Sequence, residues 1–248
     1  MNEFWLFVIV GFFAQIVDGA LGMAYGVTSN SMLLGLGVSP AISSASVHFA
    51  EIFTTLISGV SHFKLGNVDK VLFKQLLIPG IIGGVLGAYL LTQIPSNIIK
   101  PIIGVYLGLM GVRILMKVFR SNGKMREFFV RKRHFFTLGL LGGFFDAMGG
   151  GGWGPIVTTT LVADGKSPRH TVGSVNASEF FVTVAEVAAF LTLLSQFNWY
   201  VIGGLIVGGG CAAPLAAFFT KKIKPKALMI ILGILIIVLS IRTIILSL

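Results

Sequence analysis

Asp18-Gly-Ala-Leu-Gly-Met-Ala-Tyr-Gly26 and Asp146-Ala-Met-Gly-Gly-Gly-Gly-Trp-Gly154 are two glycine-rich stretches that begin on an aspartate and stand at a constant offset of 128 positions. The same offset aligns Gly11 with Gly139, Gly22 with Gly150, Gly37 with Gly165, Ser39-Pro40 with Ser167-Pro168, Ser46-Val47 with Ser174-Val175, and Glu51 with Glu179. With one residue inserted, an offset of 129 pairs Gly104 with Gly233 and Arg113 with Arg242. Such self-similarity marks a duplicated chain. The first repeat covers residues 1–119 and the second 135–248, joined by a basic linker, 120–134, that is expected in the cytoplasm.

Working outward from the two stretches, the surroundings are apolar. The chain has 248 residues, 55% of them hydrophobic and 11% charged, and its mean hydropathy is +0.92. Soluble domains carry about 25% charged residues, so the expected solvent is the lipid bilayer. Met1-Asn2-Glu3 lacks the basic start of a cleaved signal. Cys211 is the single cysteine, which excludes an intrachain disulfide and a cysteine-rich metal site, and its Gly/Ala-rich surroundings suggest a packing role. The net charge of +10 does not point to nucleic acid, because the Lys and Arg residues cluster in short loops between apolar segments.

Each half opens with two apolar pieces too short to cross: Phe4 to Val17 and Val27 to Leu36, then Phe135 to Phe145 and Pro155 to Val162. A helix of about 11 residues spans roughly 16 Å, near half of the hydrocarbon thickness. The expectation is a re-entrant or broken helical hairpin with its glycine tip near the midplane. Three longer segments follow in each half: Pro40 to Phe63, Val71 to Leu91 and Ile98 to Phe119, matched by Pro168 to Leu194, Trp199 to Phe219 and Pro225 to Leu248. The fold class is therefore an all-α polytopic membrane protein.

Loop charge orients the halves. Lys64, Lys70 and Lys74 mark one loop of the first half, while its counterpart Ser195 to Asn198 has no Lys or Arg. Thr92 to Asn97 has none either, and Lys221, Lys222, Lys224 and Lys226 occupy its counterpart. If each hairpin enters and leaves on one side, the halves are inverted-topology repeats and every basic loop lies in the cytoplasm. Both termini are then outside a bacterial-type inner membrane.

Inverted repeats with broken helices are a transporter design in which ligand binds at the midplane. Half-helix N-termini near Gly26 and Gly154 can hold an anion through backbone amides and the helix dipole, without a buried Lys or Arg. Gly22, Gly26, Gly149, Gly150, Gly151 and Gly154 are candidate substrate contacts on this ground; close helix packing is the competing role. The glycine run has neither the Lys and Ser/Thr of a phosphate-binding loop nor a strand before it. Asp18, Asp146, Glu51 and Glu179 are candidate proton-coupling groups, since carboxyls at such depth are costly and mark ion pathways. Alternatively, the two aspartates cap the hairpin tips. His48 lies three residues before Glu51 and Asn176 three before Glu179, so each pair shares a helix face, and His48 and Asn176 are candidate substrate contacts as well. Ser46 and Ser174 either bind ligand or bond back to their own helices. Arg113 and Arg242 sit late in their helices and suit interfacial anchoring. Glu186 has no acidic partner in the first half, where Ser58 holds its place.

The residues Gly11 to Gly26, Gly37-Val-Ser-Pro40, Ser46-Val-His-Phe-Ala-Glu51, Gly142 to Gly154 and Ser167-Pro168 to Glu179 resemble the TauE/SafE family of sulfite and organosulfonate exporters over nearly the whole chain. The resemblance implies a permease for sulfite, sulfoacetate, thiosulfate or related small sulfur or carboxylate anions. The first break, Gly22-Met-Ala-Tyr-Gly26, is less glycine-dense than the family pattern, which Gly149 to Gly152 match better. The expected function is secondary transport of a small anion, coupled to protons, with a passive anion channel or uniporter as the alternative. No cofactor or resident metal is expected, and a homo-oligomer is compatible with the sequence. An enzyme is not expected: His48 lies near Ser46 and Glu51, but Asn176 replaces the histidine in the second half.

Overall fold

The structure, a computed structural model, describes residues 3–21, 24–119, 132–164, 166–220 and 225–247. Gly22, Gly165, Lys124, Lys221, Lys222, Lys224 and residues 120–131 of the linker lie outside the described residues.

All regular structure among the described residues is helical. The first half comprises α1 (Glu3–Leu21), α2 (Tyr25–Gly35), α3 (Pro40–Lys64), α4 (Lys70–Gln93) and α5 (Ser96–Phe119). The second comprises α6 (Lys132–Gly149), a π-helical turn (Gly154–Thr158) running into α7 (Thr159–Ala163), α8 (Pro168–Leu193), α9 (Trp199–Thr220) and α10 (Pro225–Ile245). The same order of elements therefore recurs on either side of the linker.

The short pieces after each break match the expected length, but those before it run further. α1 continues past Asp18 to Leu21 and α6 past Asp146 to Gly149. Aspartate does not end these helices, because its carboxylate serves the next one. Asp18 Oδ1 accepts from the amides of Ala24 and Tyr25 at 2.8 and 3.1 Å. Asp146 Oδ1 accepts from those of Gly152 and Trp153 at 2.5 and 2.9 Å. These donors are themselves related by the offset of 128, so both breaks are closed by one device.

Lys70–Gln93, Ser96–Met116 and Arg169–Leu193 are long and apolar enough to cross a membrane, and Trp199–Ala212 and Met229–Ile245 are shorter apolar helices. α3 is as long, at 25 residues, but Ser43, Ser44, Ser46, His48 and Glu51 dilute its hydropathy. All five are buried, so its polar face looks into the protein.

Helices exchange partners across the two halves. α1 lies parallel to α9, with Gly204 against Phe4 and Phe7 and Gly208 against Val8 and Phe12. α6 lies parallel to α4 in the same manner, with Gly83 against Leu140 and Gly87 against Phe144. Missing side chains let these backbones approach closely. The matching helices α3 and α8 run antiparallel: His48 meets Glu186, Ser58 meets Asn176, and Asn67 meets Arg169. α5 and α10 do likewise, Gly104 facing Ile244 and Gly111 facing Gly233.

The two arginines each bond to one of the short pieces. Arg242 on α10 donates to the carbonyl of Gly35 at the end of α2. Arg113 on α5 donates to Thr159 and Thr160 of α7 at 2.9 and 3.0 Å. Each short piece is thus held by an aspartate at its start and an arginine further along, and at the end of α2 the arginine's charge suits the helix dipole. Cys211, expected to pack, is exposed on α9.

Candidate functional site

The two breaks meet. A Cβ on Gly26 would fall 2.6 Å from Gly150 O and 2.8 Å from Glu51 Oε1. Gly151 has φ +147°, a conformation that L side chains rarely adopt, and its Cα lies against the Gly26 and Val27 backbone. Only glycine permits this approach. Asn30 ties the breaks further, donating from Nδ2 to Gly149 O at 2.5 Å and accepting from Ser43 Oγ.

Beside this contact lies a cavity of about 410 Å³. Asp18, Gly26, Glu51, Asp146, Gly151, Gly154, Asn176 and Glu179, all candidates from the sequence, line it. Both short pieces begin there. The first turn of a helix has amides without intrahelical partners. Asp18 and Asp146 take the earliest of them, and those of Gly26, Val27 and Gly154 follow at the cavity wall.

The cavity runs along α3 from Glu51 through Thr55 and Ser58 to His62, and along α8 by Glu179, Asn176 and Val172. It therefore extends toward the end of the molecule that carries Lys64 and Arg169. On its wall, Asn176 Nδ2 donates to Ser58 Oγ at 2.9 Å. Toward the other end the helices close. His48 and Glu186 are both 0% exposed there, and Asp146 is 2% exposed.

The remaining candidates lie off the cavity wall. Ser46 Oγ donates to Ile42 O of its own helix. Ser174 Oγ donates to His170 O and accepts from the Asp69 amide, tying α8 to the loop before α4. Gly149 packs on the Tyr106 ring, and Gly150, at φ +63°, packs on Asn30. Tyr106 in turn stacks on Phe145 at 5.2 Å.

His48 sits between two carboxylates. Its Nε2 is 2.9 Å from Glu186 Oε2 and 3.7 Å from Asp146 Oδ2. One nitrogen or oxygen atom from each of these three side chains lies within 4.8 Å of the others, so the three form one buried cluster. Glu186 was not among the sequence candidates. Its signal was there, since it stands two helical turns beyond Glu179 on the same face of α8. Gln15, whose buried Oε1 has no hydrogen-bond partner, also lines the cavity and had no counterpart to announce it, position 143 being glycine.

The family profile described as Sulfite exporter TauE/SafE matches residues 7–243. The chain is 44% identical to the Bacillus subtilis (strain 168) protein named Probable membrane transporter protein YtnM, over 99% of this chain and 84% of that one. It is 24% identical to Probable membrane transporter protein YdhB of the same organism, over 91% of this chain and 90% of that one. It is 20% identical to Probable membrane transporter protein YjnA, also of that organism, over 96% and 98%. No solved structure matches the chain significantly.

Proposed function

The chain belongs to the sulfite exporter TauE/SafE family, and from that premise we propose that it is a secondary transporter of a small anion such as sulfite, sulfoacetate or a related sulfur or carboxylate anion. The observation that carries this reading is the convergence of two short-helix N-termini, at Gly26 and Gly154, on one cavity lined by both halves. Amides at such ends favour negative charge through hydrogen bonding and the helix dipole. The repeats 1–119 and 135–248 are inverted, in support of which α3 and α5 lie antiparallel to their counterparts α8 and α10. That arrangement suits a site opened alternately to either side of an inner membrane, with both termini outside and the linker 120–134 in the cytoplasm.

Proton coupling follows from the walls. The cavity that takes the anion also presents Glu51 and Glu179. In surroundings poor in water an anion shares the space with carboxyl groups only when they are neutral. Binding an anion is then tied to holding protons, which a passive channel would not require. Uptake of labelled sulfite or sulfoacetate into proteoliposomes, driven by a pH gradient, tests this. Glu51→Gln and Glu179→Gln should abolish gradient-driven accumulation and leave binding detectable. Wild-type accumulation in both variants would sink the coupling and favour a uniporter.

A further inference from the structure

We propose that His48, Glu186 and Asp146 form a buried proton-binding centre on the closed side of the cavity, and that its loading and unloading couple a proton to the anion. The proposal rests on the transporter reading above and adds a site to it.

The hydrogen inventory of His48 carries the inference. Nδ1 lies 2.7 Å from the carbonyl oxygen of Ser44, which only accepts, so Nδ1 holds a hydrogen. Ser44 Oγ is already committed to donating to Ala147 O at 2.5 Å. The hydrogen on Nδ1 leaves Nε2 to face Glu186 Oε2 at 2.9 Å. A bare ring nitrogen against an ionised carboxylate would oppose two acceptors, so a further proton resides on one of the two. Burial makes such an opposition costly, since His48 and Glu186 are fully enclosed. His48 Nε2, both carboxylate oxygens of Glu186 and Asp146 Oδ2 are all buried, and their one close approach is the 2.9 Å ion-pair contact itself, which is not aligned as a hydrogen bond.

The duplication gives a control within the same molecule. The offset of 128 carries His48 onto Asn176 and Glu186 onto Ser58. Both pairs are in contact at 2.9 Å, one neutral and one titratable. An Asn–Ser pair therefore satisfies the geometry that α3 and α8 require. Packing alone does not call for a histidine and a glutamate at the other position. The pairs also differ in access: Ser58 and Asn176 line the open cavity, whereas His48 and Glu186 are sealed beyond the breaks. In the alternate state of an inverted-repeat transporter the two sides exchange, and the titratable pair becomes the one that meets water.

Asp146 links this pair to the anion. Its Oδ1 holds the amides of Gly152 and Trp153 at the second break, while Oδ2 faces His48 Nε2 at 3.7 Å. A change of charge at His48 or Glu186 therefore acts on the same carboxylate that positions the short helix. The other groups facing the centre are Glu51 on α3, with Asp18 and Glu179 across the cavity. From α5, Tyr106 faces Asp146, with Arg113 beyond it. From α4, Gly84 packs against Glu186 and brings no charge.

The test converts one pair into the other: His48→Asn with Glu186→Ser, each single variant being made as well. The double variant should fold as wild type by gel filtration and thermal unfolding. It should keep sulfite counterflow, which needs no gradient, and lose accumulation driven by a pH gradient to the level of protein-free vesicles. Independently of any substrate, infrared difference spectra between acid and alkaline pH should contain imidazole and carboxyl bands that the double variant lacks. Gradient-driven accumulation equal to wild type, identical infrared spectra, or a double variant that fails to fold would each overturn the proposal. So would a stoichiometric bound metal in the purified wild type. If wild type shows no counterflow of sulfite, sulfoacetate or small carboxylates while the infrared bands differ as expected, the transport reading falls and the proton centre stands.

Discussion

Asp18→Ala should lower stability strongly while Asp18→Asn does so weakly, because the structure gives this carboxylate a defined structural task. Its Oδ1 accepts from the amides of Ala24 and Tyr25 at 2.8 and 3.1 Å, at the start of α2. Hydrogen bonds to a charged acceptor contribute about 1.5–3 kcal/mol each, and loss of an N-cap costs roughly 0.5–2 kcal/mol. A combined loss of about 3 kcal/mol is the expectation for Ala, since one oxygen serves both amides and the contributions are not additive. For a chain of this size each kcal/mol moves Tm by roughly 2–4 °C, so the fall should be about 6–12 °C. Asn retains an acceptor oxygen at the same place and should cost about 1 kcal/mol, the difference between a charged and a neutral acceptor. Scanning fluorimetry of the detergent-purified protein reads both shifts. An unchanged Tm in Asp18→Ala would refute the capping role. A folded Asp18→Asn that has lost pH-driven transport would show that the carboxylate does more than cap.

Three further outcomes follow. Gly210→Val should weaken anion binding with little change in Tm, because Gly210 lines the cavity and a Cβ there meets nothing within 4 Å; calorimetric titration with sulfite checks it, and unchanged affinity would remove the cavity from the binding account. Arg242→Met should destabilise by about 2 kcal/mol, since it leaves the carbonyl at the end of α2 without its charged donor, and a Tm within a degree or so of wild type would contradict the pinning of that helix. Cysteines introduced singly at Lys64 and Arg169, in a background lacking Cys211, should both be protected from an impermeant external reagent, while those at Asn97 and Asn198 react. Labelling of position 64 but not 169 would contradict the contact of Arg169 with Asn67 and Leu65.

The architecture was legible where the two halves agree. Asp18 and Asp146, the glycines after them and the Ser-Pro starts of α3 and α8 recur in register, and they located both breaks and the helices that follow. The helix ends at Leu21 and Gly149 were not legible, because an aspartate before glycines looks like a stop until its side chain is seen capping the next helix. The partners of Arg113 and Arg242 were hidden for a related reason: a cation late in an apolar helix gives no sign of what it bonds, and only the placement of the short pieces beside α5 and α10 shows it. The His48–Glu186 contact was least visible. Comparing the halves favours residues that match, whereas this pair stands opposite Asn176 and Ser58 and is informative because it differs. Glu51 and Glu179, which do match, both came to the cavity.

The claim that the two short helices hold the anion between them is tested most directly by locating a bromine-bearing sulfonate in crystals of the protein through its anomalous scattering. The account predicts the sulfonate within hydrogen-bond distance of the amides of Gly26 or Val27 and of Gly154, beside Glu51 and Glu179. A sulfonate bound instead among the surface lysines, with the cavity between the breaks empty at saturating concentration, would contradict it.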